Sequence, residues 1–91
     1  MIATQQYNQT ELQNLIEKYN SVNPTVIKQN LVKHIEQSSY RRNSKALANI
    51  IGVDLQTIYL WRQPKKGSNI SFESALRLCN VLNISITELI N

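Results

Sequence analysis

The feature that most constrains the fold is a pair of short apolar patterns that meet at one glycine, within residues 44–61. Apolar residues recur at helical spacing before Gly52 and again after it, which predicts two amphipathic helices. Ala48 precedes Gly52 by four residues, where a small side chain lets two helices approach closely. Gly52 can adopt the left-handed conformation that ends a helix. The segment therefore predicts two helices crossing steeply about a tight turn. The expected core contacts of this pair are Leu47, Ile51, Val53, Ile58 and Trp61.

Local signals predict two further helices before this pair. A first helix is expected over residues 10–20, with Thr10 and Gln13 as a capping box. A second is expected to start at Pro24, whose missing N–H does no harm at a first helical position, with Asn23 as its cap. The third helix, the first of the pair, is expected to be capped by Asn43 or Ser44 and to run to about residue 51.

The remaining signals predict three helices after Gly52. Asp54 is expected to cap a helix over residues 55–62, because its carboxylate complements a helix N-terminus. Ser71 is expected to cap a helix over residues 72–82, which Asn83 closes in the left-handed conformation. A last short helix is expected over residues 86–90, with Ser85 and Glu88 as its capping box. The predicted fold class is therefore all-α, with six helices.

The positive charge of the chain is concentrated in its middle third. The whole sequence carries a net charge of +4, and residues 41–70 contain six Lys and Arg residues against the single acidic residue Asp54, a net +5. Such a cluster is typical of proteins that bind a phosphate backbone. A basic surface that is merely solvated is the alternative, and charge alone does not decide between the two.

Several classes of protein are not favoured by the composition. The sequence has no paired-carboxylate motif, no nucleophile signature and no Gly-rich phosphate loop, so we expect no enzymatic activity and no cofactor. One His and one Cys do not make a zinc site. Cys79 lies in an apolar helical run and is expected to be a buried hydrophobe. The first residues do not resemble a signal peptide, and no apolar stretch is long enough to span a bilayer, so a cytoplasmic location is expected.

At residues 47–54 and 57–61 the chain resembles the two-helix signature of the lambda-repressor-like, Cro-type (Xre) helix-turn-helix regulators of bacteria and phages. Residues 71–89 resemble the last two helices of that family. The resemblance implies a five-helix DNA-binding domain over residues 24–91, with residues 1–23 as an extra N-terminal helix. One departure concerns charge, since the family often has an acidic residue at the position of Arg62.

The resemblance implies a transcriptional regulator, expected to act as a repressor, whose fourth helix lies in the major groove of double-stranded DNA. Gln56 is the best candidate for direct base recognition, because an amide can form two hydrogen bonds with adenine. Trp61 is assigned to the core, whereas Tyr59 could contact either a base or a partner. The expected base contacts are Leu55, Gln56, Thr57, Tyr59 and Leu60.

Phosphate contacts are expected from the flanks of the two-helix motif. The start of the third helix offers side chains and backbone N–H groups, and the loop after the fourth helix is basic. The candidates are Arg41, Arg42, Asn43, Ser44, Lys45, Arg62, Lys65, Lys66, Ser68 and Asn69.

A homodimer on a pseudo-palindromic operator is expected, because single domains of this kind bind weakly and two recognition helices about 34 Å apart match successive major grooves. Two surfaces could form the dimer: the amphipathic N-terminal helix, or the apolar end with Ile84, Ile86, Leu89 and Ile90. The alternative function is a phage or antitoxin-like module that binds a host or toxin protein, because a fold does not fix a function.

Overall fold

The structure is a computed structural model that describes residues 8–65 and 69–90. Within these ranges the chain is helical without strands, which confirms the predicted all-α class. The six helices of the described residues are α1 (Gln9–Ser21), α2 (Pro24–Glu36), α3 (Ser44–Ile51), α4 (Leu55–Trp61), α5 (Phe72–Leu82) and α6 (Thr87–Ile90).

Three helices begin at the predicted caps. The side-chain oxygen of Asn23 accepts from the Thr25 amide at 2.9 Å, and Pro24 takes the first position of α2. Asn43, one of the two residues considered for α3, accepts from the Ala46 amide at 3.2 Å. Ser71 caps α5 in the same way. Each contact satisfies an amide that has no partner inside its helix.

The predicted starts of two helices were wrong by one residue. α1 begins at Gln9 because Asn8, rather than Thr10, accepts from the Glu11 amide at 2.7 Å, while the Glu11 carboxylate accepts from the Asn8 side chain at 2.6 Å. α6 begins at Thr87 rather than residue 86.

The capping contacts predicted for α6 and α4 form only in part. The Glu88 carboxylate accepts from the Ser85 amide at 2.8 Å, but the Ser85 hydroxyl pairs with Thr87, so one half of the predicted capping box forms. Asp54 occupies the N-cap position of α4 without a side-chain capping bond, and its backbone carbonyl accepts from Thr57 and Ile58 instead. α4 ends at Trp61, one residue before the predicted end.

Left-handed residues end α3 and α5, as predicted. Gly52 has φ 86° and ψ 35°, and its amide and that of Val53 both donate to the Ala48 carbonyl, at 2.8 and 3.0 Å. Asn83 has φ 60° and ψ 44°. Because the turn at Gly52 is tight, α3 and α4 pack directly on each other.

The core lies between α3, its neighbours α4 and α5, and the α2–α6 pair. Ala48 is buried at the approach of α3 to its neighbours, and Ile58 and Trp61 bury the inner side of α4. Tyr19 of α1 is also buried, so the N-terminal helix is part of this core. Burial of such side chains is the main stabilising contribution in a domain of this size.

The C-terminal apolar residues are interior, so their assignment as a second dimer surface was wrong. Ile86 and Leu89 are fully buried and Ile90 is 5% exposed, while Ile84 is half-buried against the core. α6 packs on α2, and the Asn30 side chain donates to the Leu89 carbonyl at 2.7 Å. Apolar periodicity predicted a buried face correctly, but it could not tell a face covered by the same chain from one covered by a second copy.

Candidate nucleic-acid interface

The two sides of α4 differ sharply in exposure. Ile58 and Trp61 are 1% and 7% exposed and face the core. Gln56 and Tyr59 lie on the opposite side and are exposed, with Tyr59 at 47%. The other residues with predicted base contacts are half-buried, namely Leu55, Thr57 and Leu60. α4 therefore presents an amide and an aromatic ring to solvent from a helix that is anchored on its inner side.

Exposed cations lie on both chain segments that flank the α3–α4 pair. Arg41, Arg42 and Lys45 lie at the start of α3, and Lys65 follows α4. Asn69, just before the buried Ile70, is exposed as well. Two further predicted phosphate contacts, Lys66 and Ser68, lie outside the described residues. Because these cations already lie at the surface, they can contact a bound polyanion without any change in the packing of the core.

Asn43 and Ser44 have structural roles at the start of α3. Asn43 is exposed, and its side-chain oxygen caps the helix. Ser44 is 9% exposed, and its hydroxyl oxygen accepts from the Arg62 guanidinium at 3.0 Å. Any phosphate contact from Asn43 or Ser44 would therefore have to use backbone N–H groups or the Asn43 side-chain nitrogen.

Arg62, also predicted to contact phosphate, is tied into the domain. Its guanidinium donates to the Glu36 carboxylate, to the Ser44 hydroxyl and to the Arg41 carbonyl at 3.3 Å. The Arg62 side chain is 21% exposed, much less than the 55% of Arg41. Its guanidinium thus joins the ends of α2 and α4 to the start of α3.

Sequence reasoning missed Glu36, which supplies the carboxylate for Arg62. The two residues are 26 positions apart, so no helical spacing relates them. The sequence nevertheless contained a signal, because Arg62 occupies a position where the Cro-type family that the chain resembles often has an acidic residue. A reversed charge at a position close to the core calls for a partner of opposite charge elsewhere.

Two titratable groups with displaced pKa values lie in the core rather than at this interface. Burial, with a smaller contribution from Cys79, raises the pKa of Tyr19 from 10.0 to about 12. Burial, with a smaller contribution from Glu88, raises the pKa of Cys79 from 9.0 to about 12. Cys79 is fully buried and stays protonated at neutral pH, so it is the inert hydrophobe that was predicted.

The described part of the chain contains no group of three or more His, Cys, Asp or Glu residues arranged to hold a metal ion. None of the helices in residues 8–65 and 69–90 is both long enough and apolar enough to cross a membrane.

The fold and the exposed face of α4 define a helix-turn-helix protein. A family model described as a Cro/C1-type HTH DNA-binding domain matches residues 30–91, and the chain belongs to this family. The match confirms the resemblance to Cro-type proteins that the sequence showed. It also confirms that the chain belongs to the general class of DNA-binding regulators. α1 lies outside the matched residues. Searches of curated proteins and of solved structures found no match.

Proposed function

We propose that the chain is a sequence-specific, double-stranded DNA-binding transcriptional regulator that represses its target and uses α4 as its recognition helix. The observation that carries this proposal is the exposure of Gln56 and Tyr59 on a helix whose inner side is buried, between exposed cations on both flanks. Such a helix can enter the major groove while the flanking cations contact the two phosphate backbones.

Base recognition is assigned to the outer side of α4. Gln56 is exposed and can form two hydrogen bonds with one adenine in the major groove. Tyr59 and Leu60 offer apolar surface to thymine methyl groups, and Leu55 and Thr57 line the edges of the same helix side. An A·T-containing site is therefore the expected target.

Phosphate binding is assigned to the flanking segments. The exposed side chains of Arg41, Arg42, Lys45 and Lys65 can each displace condensed counterions from the duplex, so affinity should fall steeply as salt rises. Asn43 and Asn69 add polar contacts, as do Lys66 and Ser68 from outside the described residues. Contacts of this kind fix the position of the protein on DNA without reading its sequence.

Selection from a pool of random duplexes at physiological salt tests the proposal. We expect enrichment of one sequence that the protein then binds at least about 1,000-fold more tightly than random duplex, which is typical of specific regulators. Failure of the pool to converge, with only salt-sensitive and unselective binding, would contradict it.

We further propose that the regulator is a homodimer that acts in the cytoplasm and catalyses no reaction. With the C-terminal residues buried, α1 is the remaining surface, and Leu12 and Ile16 are half-buried residues one turn apart on it. Deleting α1 would remove Tyr19 from the core, so a cleaner test is the Leu12→Glu/Ile16→Glu variant. Sedimentation should show a dimer for the unmodified chain and a monomer for the variant. A monomer in both cases, with and without DNA, contradicts the proposal.

The second candidate is a module that binds another protein through this fold. Ile50 on α3 is 56% exposed and Tyr59 is 47% exposed, so both offer apolar surface to a protein partner. An Ile50→Lys variant separates the two functions. Unchanged sequence-selective DNA binding in this variant favours the regulator. The module is favoured if the unmodified chain shows no sequence-selective DNA binding and captures a protein partner that the variant no longer binds.

A further inference from the structure

Glu36 lies between two of the arginines that flank the helix-turn-helix motif. One carboxylate oxygen accepts from the Arg62 guanidinium, and the other lies 3.8 Å from Nε of Arg41. The two contacts differ in strength. Arg41 and Glu36 are both about half exposed and their contact is long, so solvent screens it and leaves Arg41 available. The contact with Arg62 is a direct, charge-assisted hydrogen bond.

A second terminal nitrogen of the Arg62 guanidinium also donates to the protein. One terminal nitrogen of its guanidinium donates to both the Ser44 hydroxyl at 3.0 Å and the Arg41 carbonyl at 3.3 Å, while the other donates to Glu36. A phosphate that took the N–H groups used in these three contacts would have to displace a partner inside the protein. Since Arg62 is the C-cap residue of α4, holding it also holds the end of that helix.

We propose that Glu36 is a positioning residue that keeps Arg62 off the phosphate backbone and commits it to fixing α4 against α3. The inference rests on the proposed function, and it replaces the phosphate contact that the sequence predicted for Arg62. Arg62 adds to the positive charge of the motif, but it makes no phosphate contact while its guanidinium is bound to Glu36. Glu36 thereby lowers the sequence-independent part of the affinity for DNA.

The Glu36→Gln variant tests this directly in the full chain. Loss of the carboxylate frees the Arg62 guanidinium, so the plot of log affinity against log salt for a random-sequence duplex should steepen by about one. The matched control is Glu73→Gln on α5, which removes the same charge and frees Arg77 from an exposed pair, at 2.7 Å, outside the motif. This control should keep the slope of the unmodified chain.

Two additional measurements assign the effect to Arg62. In the Glu36→Gln/Arg62→Gln double variant the extra slope should disappear, and circular dichroism checks that both variants remain folded. In the free protein, nuclear magnetic resonance should show that guanidinium N–H groups of Arg62 exchange slowly with solvent. In Glu36→Gln this slow exchange should be lost. This second readout involves no DNA.

The outcomes separate the inference from the function on which it rests. Equal slopes for Glu36→Gln and Glu73→Gln, with duplex binding intact, overturn the inference alone. Extra slope that persists in the double variant also overturns it, because Arg62 is then not the group released. A chain that binds no duplex even at low salt overturns the proposed function and the inference together.

Discussion

The Tyr19 hydroxyl donates a hydrogen bond to the Ile70 carbonyl across 2.5 Å, which joins α1 to the segment that leads into α5. The same ring contacts Phe72 edge to face, with ring centres 5.4 Å apart. Tyr19 lies outside the residues matched by the family model, whereas Ile70 and Phe72 lie inside them. The N-terminal helix is therefore packed onto the domain and not merely attached to it.

Tyr19→Phe should lower the free energy of unfolding by about 1–2 kcal/mol, because the variant leaves the buried Ile70 carbonyl without this donor. The contact with Phe72 stays. Urea denaturation measures the change, and Tyr40→Phe, which removes a hydroxyl from a half-buried ring, should cost less than about 0.5 kcal/mol. Equal losses of unfolding free energy in the two variants would show that the hydrogen bond to Ile70 makes no specific contribution to stability.

Alkaline pH should destabilise the protein through Cys79 and Tyr19. The folded state raises both pKa values to about 12, from 9.0 and 10.0, so each group keeps its proton in the folded chain after the unfolded chain has lost it. Their contribution is complete below pH 9.0 and is lost as the pH rises towards about 12.

Urea midpoints measured from pH 8 upwards check the alkaline prediction. The Cys79→Ala variant is the control: it should be less stable throughout, but its additional decline should begin near the unfolded pKa of Tyr19, 10.0, instead of 9.0. A decline that starts at the same pH in both proteins would exclude Cys79 as the cause.

Gly52→Ala should cost about 1–2 kcal/mol of stability, since φ is 86° there and the left-handed conformation is unfavourable for alanine. Apart from its chain neighbours, a Cβ at this position would meet no atom within 4 Å, so the cost comes from the local backbone conformation and not from a clash with the rest of the fold. Gly52→Asn should cost less, because asparagine tolerates this conformation. Thermal unfolding distinguishes the two; an equal loss for Ala and Asn would contradict a conformational origin.

Lys45→Gln and Lys65→Gln should each reduce the salt dependence of DNA binding by about one unit of slope and weaken binding to all duplexes alike. Both lysines are exposed on segments flanking the motif. Fluorescence anisotropy at several salt concentrations measures the slope, with Lys18→Gln on α1 as the control of equal charge. Identical slopes for all three variants would show that neither Lys45 nor Lys65 contacts the DNA backbone.

Local signals were sufficient to predict most of the fold. Asn23, Asn43 and Ser71 cap helices because a short polar side chain reaches a nearby amide, and this needs no information from distant residues. Gly52 ends α3 for an equally local reason. The same kind of local signal assigned the cap of the first helix to Thr10, which was wrong, because Asn8, two residues earlier, accepts from the Glu11 amide.

Contacts between distant residues could not be predicted in the same way. The burial of Ile86 and Leu89 depends on α2 lying beside α6, which periodicity does not specify. The pairing of Glu36 with Arg62 depends on three elements meeting at one point. The two-helix motif of the confirmed family was therefore predicted correctly. The location of the site on that motif and the individual base and phosphate contacts stay predictions.

The central claim is that the outer side of α4 reads bases, and Gln56→Ala tests it most directly. Affinities are measured for the selected duplex and for duplexes that each change one base pair, with Gln13→Ala on α1 as the control. Gln56→Ala should lose about 1–3 kcal/mol of discrimination at one A·T pair and keep it at the others. Discrimination that is unchanged at every position would contradict the account.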